Sequence, residues 1–233
     1  MLGIYYNGIA KAYPTKILDR HEVVNDHFGN EPVLVTYCPL CRSGMAFLVK
    51  DLEGQSSFGV SGLLYNSDVL LYDRQTASLW SQILGEAVSG PMAGTKLPVV
   101  AVEQTSWGQW YARHPESQVL DQRGRDYSQK AYAEYEQSGR LMFPVNHRDK
   151  RLPEKALVIG IEINGQFKAY AFRKLRKHKK EVLEDTFNGQ KLQIHYNSKG
   201  RYARITDESG KILPAVSMYW FAWSAFHPET ALY

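Results

Sequence analysis

Residues 3–13 read GIYYNGIAKAY and residues 160–170 read GIEINGQFKAY. Gly, Ile, Asn-Gly and Lys-Ala-Tyr coincide between them at an offset of 157. Asn-Gly between strand-like flanks is the strongest short hairpin signal, because both residues accept the positive φ of a type I′ turn. Each stretch predicts a hairpin, and their likeness predicts a chain that repeats itself.

The correspondence extends outward. His21 falls opposite His178, and after a two-residue shift Asp26, Phe28, Val35 and Tyr37 fall opposite Asp185, Phe187, Ile194 and Tyr196. Further on, WGQWYARHPESQVL (107–120) aligns with WFAWSAFHPETALY (220–233). Residues three apart share a helix face, so each tryptophan pair reads as core. Ser106 and Ser217 are the expected N-caps, and His-Pro the expected helix end. The repeated order is hairpin, short helix, strand, aromatic helix, last strand. The expected fold is β-rich α+β, with two related halves packed as one globular unit under short covering helices. Residues 1–120 form the first half and 157–233 the second. The polar, tyrosine-rich segment 121–156 connects them.

The halves differ in length. Between Tyr37 and Trp107 the offset to the second half falls from 159 to 113, so the first half carries 46 additional residues. That elaboration holds the two cysteines of the chain, Cys38 and Cys41, and the segment from Ser57 to Gly90. Asn197 and Gly200 stand opposite the cysteines. What both halves share reads as scaffold, and what one half adds is where function is expected.

Composition removes several function classes. A net charge of +4 is not the footprint of a nucleic-acid binder. The dense basic run RKLRKHKK (173–180) reads as a solvated face. No apolar run is long enough for a transmembrane segment. The glycines form neither a G-x-G-x-x-G nor a P-loop pattern, so no nucleotide cofactor is expected. His21-Glu22 lacks the second histidine of a zincin motif. The sequence leaves the oligomeric state open.

Cys-Pro-Leu-Cys lets two thiolates grip one metal ion, or lets the pair oxidise to a disulfide. A site of four thiolates is excluded within one chain. A mixed centre draws on Cys38, Cys41 and a histidine, with His21 preferred because it precedes the strand leading to Cys38. Thiolate with imidazole suits a single copper, zinc or iron ion. Asn66, Asp68, Asp73 and Arg74 lie in polar turns and are expected to bind a small polar substrate. Glu86 is the candidate acid or base beside the catalytic cysteines. A metal-dependent oxidoreductase is the enzyme class such a centre would support. Two other readings stand: a thiol-disulfide redox protein, and a non-catalytic ligand- or partner-binding module in which the cysteines are a clasp. His114 and His227 match each other and read as scaffold.

The stretches VTYCPLCRSGMAF (35–47), FGVSGLLYNSDVLLYDRQTASLWSQ (58–82), GEAVSGPMAGTKL (85–97) and YWFAWSAFHPETALY (219–233) resemble the bacterial and archaeal family known as domain of unknown function 3179. The likeness covers nearly the whole chain. It supplies no established reaction, and its paired cysteines and its His-Glu map onto Cys38, Cys41, His21 and Glu22. It implies a cell-envelope location and a leader ahead of this chain. Arg42 departs from the small or polar residue that the pattern implies, and a charge there is expected to stabilise the Cys41 thiolate.

Overall fold

The computed structural model describes residues 1–49, 57–178 and 182–233. Strands β1 (Leu2–Tyr6) and β2 (Ile9–Tyr13) form the first hairpin, followed by α1 (Thr15–His21). Next come β3 (Val23–Phe28), β4 (Glu31–Cys38), β5 (Ser43–Leu48), β6 (Phe58–Tyr65), β7 (Asp68–Asp73), β8 (Leu79–Ser81) and β9 (Glu86–Ser89). Short elements follow: β10 (Val99–Val100), β11 (Glu103–Gln104), α2 (Trp107–Tyr111), β12 (Gln118–Val119) and α3 (Ala133–Gln137). The C-terminal part holds β13 (Leu157–Ile163), β14 (Gln166–Ala171), α4 (Phe172–Leu175), β15 (Val182–Phe187) and β16 (Gln190–Asn197). It ends with β17 (Tyr202–Thr206), β18 (Ala215–Tyr219), α5 (Trp220–Phe226) and β19 (Ala231–Leu232).

Among the described residues these strands sort into five small sheets arranged in a ring, like a five-bladed propeller. The orders are β11-β1-β2-β12, β10-β5-β4-β3, β6-β7-β8-β9, β18-β13-β14-β19 and β15-β16-β17. The β-rich expectation holds, and no described helix exceeds seven residues. Hairpins and meanders pair with their chain neighbours first, which is why the strands divide into separate blades rather than two larger sheets. The ring buries two apolar clusters. One lies around Leu2, Ile4, Leu18, Phe28 and Val35, and a larger one takes in Trp80, Trp220, Trp223 and both cysteines. No described helix is long and apolar enough to cross a membrane.

The first and fourth sheets share a strand order. In each, a central hairpin turns on Asn-Gly with positive φ at both residues (Asn7 49°, Gly8 77°; Asn164 50°, Gly165 77°). A short parallel strand closes each sheet, pairing Lys11 with Gln118 and Lys168 with Ala231. The aromatic helix packs over a glycine of the hairpin. A Cβ on Gly3 would lie 2.3 Å from the Trp110 ring, and one on Gly160 would lie 2.3 Å from the Trp223 ring. The indole N–H groups donate to Ser117 Oγ (2.8 Å) and Thr230 Oγ1 (2.9 Å), so both buried tryptophans are satisfied. Ser106 caps α2 as expected, accepting from the Gln109 N–H. Ser217 caps nothing: it lies in β18, and Tyr219 holds the N-cap position of α5 without a side-chain bond. Of the basic run 173–180, residues 179 and 180 lie outside the described residues.

Candidate metal centre

Strand β4 ends at Cys38, which pairs with Ser43 at the start of β5. The intervening loop, residues 39–42, closes with Arg42 in the left-handed region at φ 54°. Two bonds fix it from outside: the Tyr135 hydroxyl donates to the Leu40 carbonyl (3.0 Å), and the Tyr219 N–H donates to the Cys41 carbonyl (2.9 Å). Opposite, Asn66 (φ 51°) and Ser67 (φ 63°) make the two-residue turn from β6 to β7. Positive φ at both positions is the type I′ geometry that matches strand twist. That turn sets the Ser67 carbonyl 3.3 Å from Cys41 Sγ and 3.8 Å from Cys38 Sγ, where it accepts from both thiols. The connecting segment straps the turn down, since the Ser67 hydroxyl donates to the Phe143 carbonyl (2.9 Å) and the Asn146 N–H donates to Asn66 Oδ1 (2.8 Å).

Asp68 begins β7 directly after the turn. One of its carboxylate oxygens and the two sulfurs all lie within 4.8 Å of one another, and all three residues are buried. Among the described residues this is the one cluster of three or more His, Cys, Asp or Glu ligand atoms close enough to share a metal ion. Asp68 Oδ2 accepts from the Ser81 hydroxyl and the Ile83 N–H, each at 3.0 Å. Its Oδ1 is buried with no hydrogen-bond partner. A buried orphan oxygen costs about 1–3 kcal/mol, more when charged, so this position asks for a proton or a cation. Burial pushes the Asp68 carboxyl up to about 7 against the pull of its hydrogen bonds. Burial also raises the Cys41 thiol well above its usual range, with Cys38 and Asp68 adding to the effect. Two thiols and a carboxyl thus share a desolvated space, which disfavours the charged forms of Cys41 and Asp68 unless a cation is present.

A polar floor supports the loop. Gln82, fully buried, accepts from the Ser43 hydroxyl (2.7 Å) and donates to Thr36 Oγ1 (3.0 Å) and the Ser43 carbonyl (3.2 Å). Thr36 Oγ1 donates in turn to the Met45 carbonyl (3.2 Å). Such a satisfied network holds β4, β5 and the turn after β8 in one register.

Of the expected site residues, the structure brings together Cys38, Cys41 and Asp68. His21 stands elsewhere: it is exposed at the end of α1, with Nε2 2.8 Å from the Tyr127 hydroxyl. The third ligand-type atom beside the sulfurs is the Asp68 carboxylate, supplied by the elaboration itself. Asp73 sits at the far end of β7, where it accepts from the Thr76 N–H (2.6 Å), the Thr76 hydroxyl (2.7 Å) and the Trp80 indole (3.0 Å). It organises a turn. Arg74 is exposed and donates to the Tyr72 hydroxyl (2.9 Å), and Asn66 serves the turn described above. Glu86 faces Lys96 at 3.5 Å and lines a separate 420 Å³ cavity that none of the three clustered residues touches. Arg42 does not act on Cys41 as expected. Its side chain bonds the Tyr219 hydroxyl and lines another cavity. His114 and His227 pack on Trp110 and Trp223, with ring centroids 4.2 Å and 4.4 Å apart, in line with a scaffold role. The sequence reading had no place for Ser81; the available signal was a polar pair standing inside an apolar stretch, at SQ (81–82).

The family described as Protein of unknown function (DUF3179) matches residues 1–213, and the chain belongs to it. No curated protein and no solved structure is detectably similar to the chain.

Proposed function

From membership in a family without an assigned activity, we propose that this protein holds a single transition-metal ion between Cys38, Cys41 and Asp68, with the Ser67 carbonyl as the fourth donor. The observation that carries this reading is the unpartnered, buried Oδ1 of Asp68 in a carboxyl whose neighbours are two thiols. Two thiolates and a carboxylate offset the charge of a divalent ion and remove the orphaned oxygen at one stroke. The donor set suits zinc, copper or iron. Enclosure of both sulfurs favours a closed centre that fixes the loop and tunes whatever happens nearby. The two similar sheets and their flanking elements fit a duplicated unit, with 1–120 and 157–233 as its copies and 121–156 as the connection.

Metal analysis of purified, reduced protein after exposure to Zn²⁺, Cu⁺ or Fe²⁺ tests the centre. One equivalent per chain is expected, together with its loss in Cys38→Ser/Cys41→Ser and strong weakening in Asp68→Asn. Absence of a stoichiometric ion in the wild type overturns the reading. Because the ligands must shed protons, affinity is expected to rise with pH across neutrality.

One observation favours a second reading. A carboxyl held near pH 7 beside a dithiol suits a proton acceptor for thiol-disulfide exchange. Joining the two sulfurs would pass two electrons to a partner disulfide, whose S–S bond breaks to a thiol and a thiolate; of the two protons released, Asp68 would take one and the partner's thiol the other. Against it, Cys41 is raised rather than lowered, the opposite of a reactive thiol. A measurable two-electron potential in metal-free folded protein, lost in Cys38→Ser, decides for it.

A further inference from the structure

A second, polar cavity of 300 Å³ lies among several of the sheets. Four of the five sheets contribute to its wall: β11 gives Gln104, β4 gives Tyr37, β18 gives Ser217 and β17 gives Tyr202. Helix α1 adds Lys16 and Asp19. A concave cleft lined by several elements with convergent polar groups is where small ligands bind. The volume stands at the low end of ligand cavities, which limits the occupant to a small molecule.

The chemistry of the wall is specific. Arg42 and Arg201 both line it, each from a different sheet. Each is the last residue of a four-residue loop, between Cys38 and Ser43 in one case and between Asn197 and Tyr202 in the other. Each has a left-handed backbone, at φ 54° and 53°. Such angles strain a residue that carries a Cβ, and two separate loops meet that strain to bring a guanidinium to one space. Lys16 adds a third cation from α1. Lys130 also lines the cavity but sits 3.9 Å from Glu136. Thr105, directly after β11, also lines the cavity; it is only 7% exposed, and its Oγ1 is buried with no hydrogen-bond partner. An unsatisfied hydroxyl in the wall of a cationic cavity is a donor waiting for an acceptor. Against the cations stand Asp19 and Glu136. Burial and Glu136 raise the Asp19 carboxyl to about 6, so it still opposes an anion at neutral pH and loses that charge in mild acid.

We infer that this cavity binds a small, multiply charged oxyanion, held by Arg42, Arg201 and Lys16 with Thr105 Oγ1 donating. Guanidinium forks match the paired oxygens of phosphate and carboxylate alike. The site is independent of the metal centre, although Tyr37 and Arg42 immediately flank the two cysteines in the chain and so share a loop with it.

Calorimetric titration with inorganic phosphate and, separately, with malonate tests the site on the full chain. Binding of either is expected, and the stronger of the two identifies a phosphate or a carboxylate ligand. Arg42→Gln and Arg201→Gln should each weaken it about tenfold, the scale of one charge-assisted hydrogen bond. Asp19→Asn should tighten it severalfold, since it deletes an opposing charge without removing a donor. Arg201 is exposed, so its variant should fold even where Arg42→Gln does not, and it should keep its metal content. Failure of both anions to bind at millimolar concentration overturns the inference. So does undiminished affinity in Arg201→Gln, or an Asp19→Asn variant that binds no better than wild type.

Discussion

The loop after β4 and the loop after β16 have the same length, the same closing arginine and the same left-handed φ at that arginine. Ahead of that arginine their contents part company: Cys38-Pro39-Leu40-Cys41 stands where the second has Asn197-Ser198-Lys199-Gly200. In the second loop Asn197 Oδ1 accepts from the Gly200 N–H at 2.7 Å, an ordinary side-chain-closed turn in which Gly200 is exposed. In the first, Cys38 and Cys41 replace that pair and are sealed from solvent. The difference is what lies on top. The sheet β6-β7-β8-β9 lowers its Ser67-Asp68 turn onto the first loop, and the second loop has no such lid among the described residues. One turn closes with its own side chain; the other is completed by a neighbouring blade. Under that lid sulfur and carboxylate meet, buried from solvent.

The comparison breaks most decisively if the first loop is made to read like the second. Cys38→Asn/Cys41→Gly copies residues 197 and 200 into a loop of equal length, so the fold should persist. Bound metal should fall from one equivalent to none. At one hundred times its Kd an ion adds about 2.7 kcal/mol, so the wild type should also lose its chelator-sensitive increment of thermal stability in that variant. Metal retained by the double variant would mean that the sulfurs are not ligands.

A second effect concerns protons in metal-free protein. Asp68 lies near 7 in the folded state against an ordinary value of 3.8, so the folded state holds its proton more tightly than the unfolded chain. Stability from this group is full below about pH 4 and fades as pH rises to and through 7. The difference across that window is about 4 kcal/mol. Asp68→Asn, neutral at every pH, should flatten the profile. Urea denaturation between pH 4 and 8 reads this directly, and superimposable profiles for the two proteins would remove Asp68 as the source.

How much of this was legible beforehand depends on whether the information was local. Asn7-Gly8, Asn164-Gly165 and the paired tryptophans are short-range signals, and they placed the hairpins and aromatic helices correctly. Ser217 misled because its place in the repeat matched a cap position, while strand pairing with Ile159 claimed its backbone. The cysteines pointed to a site through spacing alone. Their partner did not, because His21 precedes them in the chain whereas Asp68 reaches them through a turn between two strands of another sheet. That contact separates residues by about thirty positions and is fixed by how blades dock, which no local pattern encodes. The ring itself was hidden for the same reason: strand periodicity says which face is buried, not how many sheets share the strands.

The two similar sheets offer finer tests of scaffold equivalence. Alanine at Gly3 or Gly160 would drive a Cβ into the Trp110 or Trp223 ring at 2.3 Å. Both indoles are buried, so each substitution should cost about 2 kcal/mol by overpacking, and the two costs should agree. Chemical denaturation of both variants measures this. A large cost at one glycine and none at the other would show that only one helix is seated by that contact.

The smallest effect is the most discriminating. Asp26 accepts from the Tyr13 hydroxyl (2.7 Å) and Lys11 (2.8 Å), while Asp185 accepts from the Tyr170 hydroxyl (2.7 Å) and Lys168. Burial tends to raise both carboxyls, yet the lysine and tyrosine donors outweigh it and leave each below its ordinary value. A depressed folded-state value contributes stability that is present above the unfolded value and is lost as pH falls through the folded one. Tyr13→Phe and Tyr170→Phe each delete one donor to a partly exposed carboxylate, which is about 1 kcal/mol at neutral pH. Because the bond matters only while the carboxylate is charged, that cost should shrink as pH drops below about 4. Equal costs with the same acid-limb behaviour mean that the two sheets are held by one device used twice. A cost confined to Tyr13→Phe would instead tie that device to the blade next to the cysteines, and the likeness between the sheets would be one of shape alone.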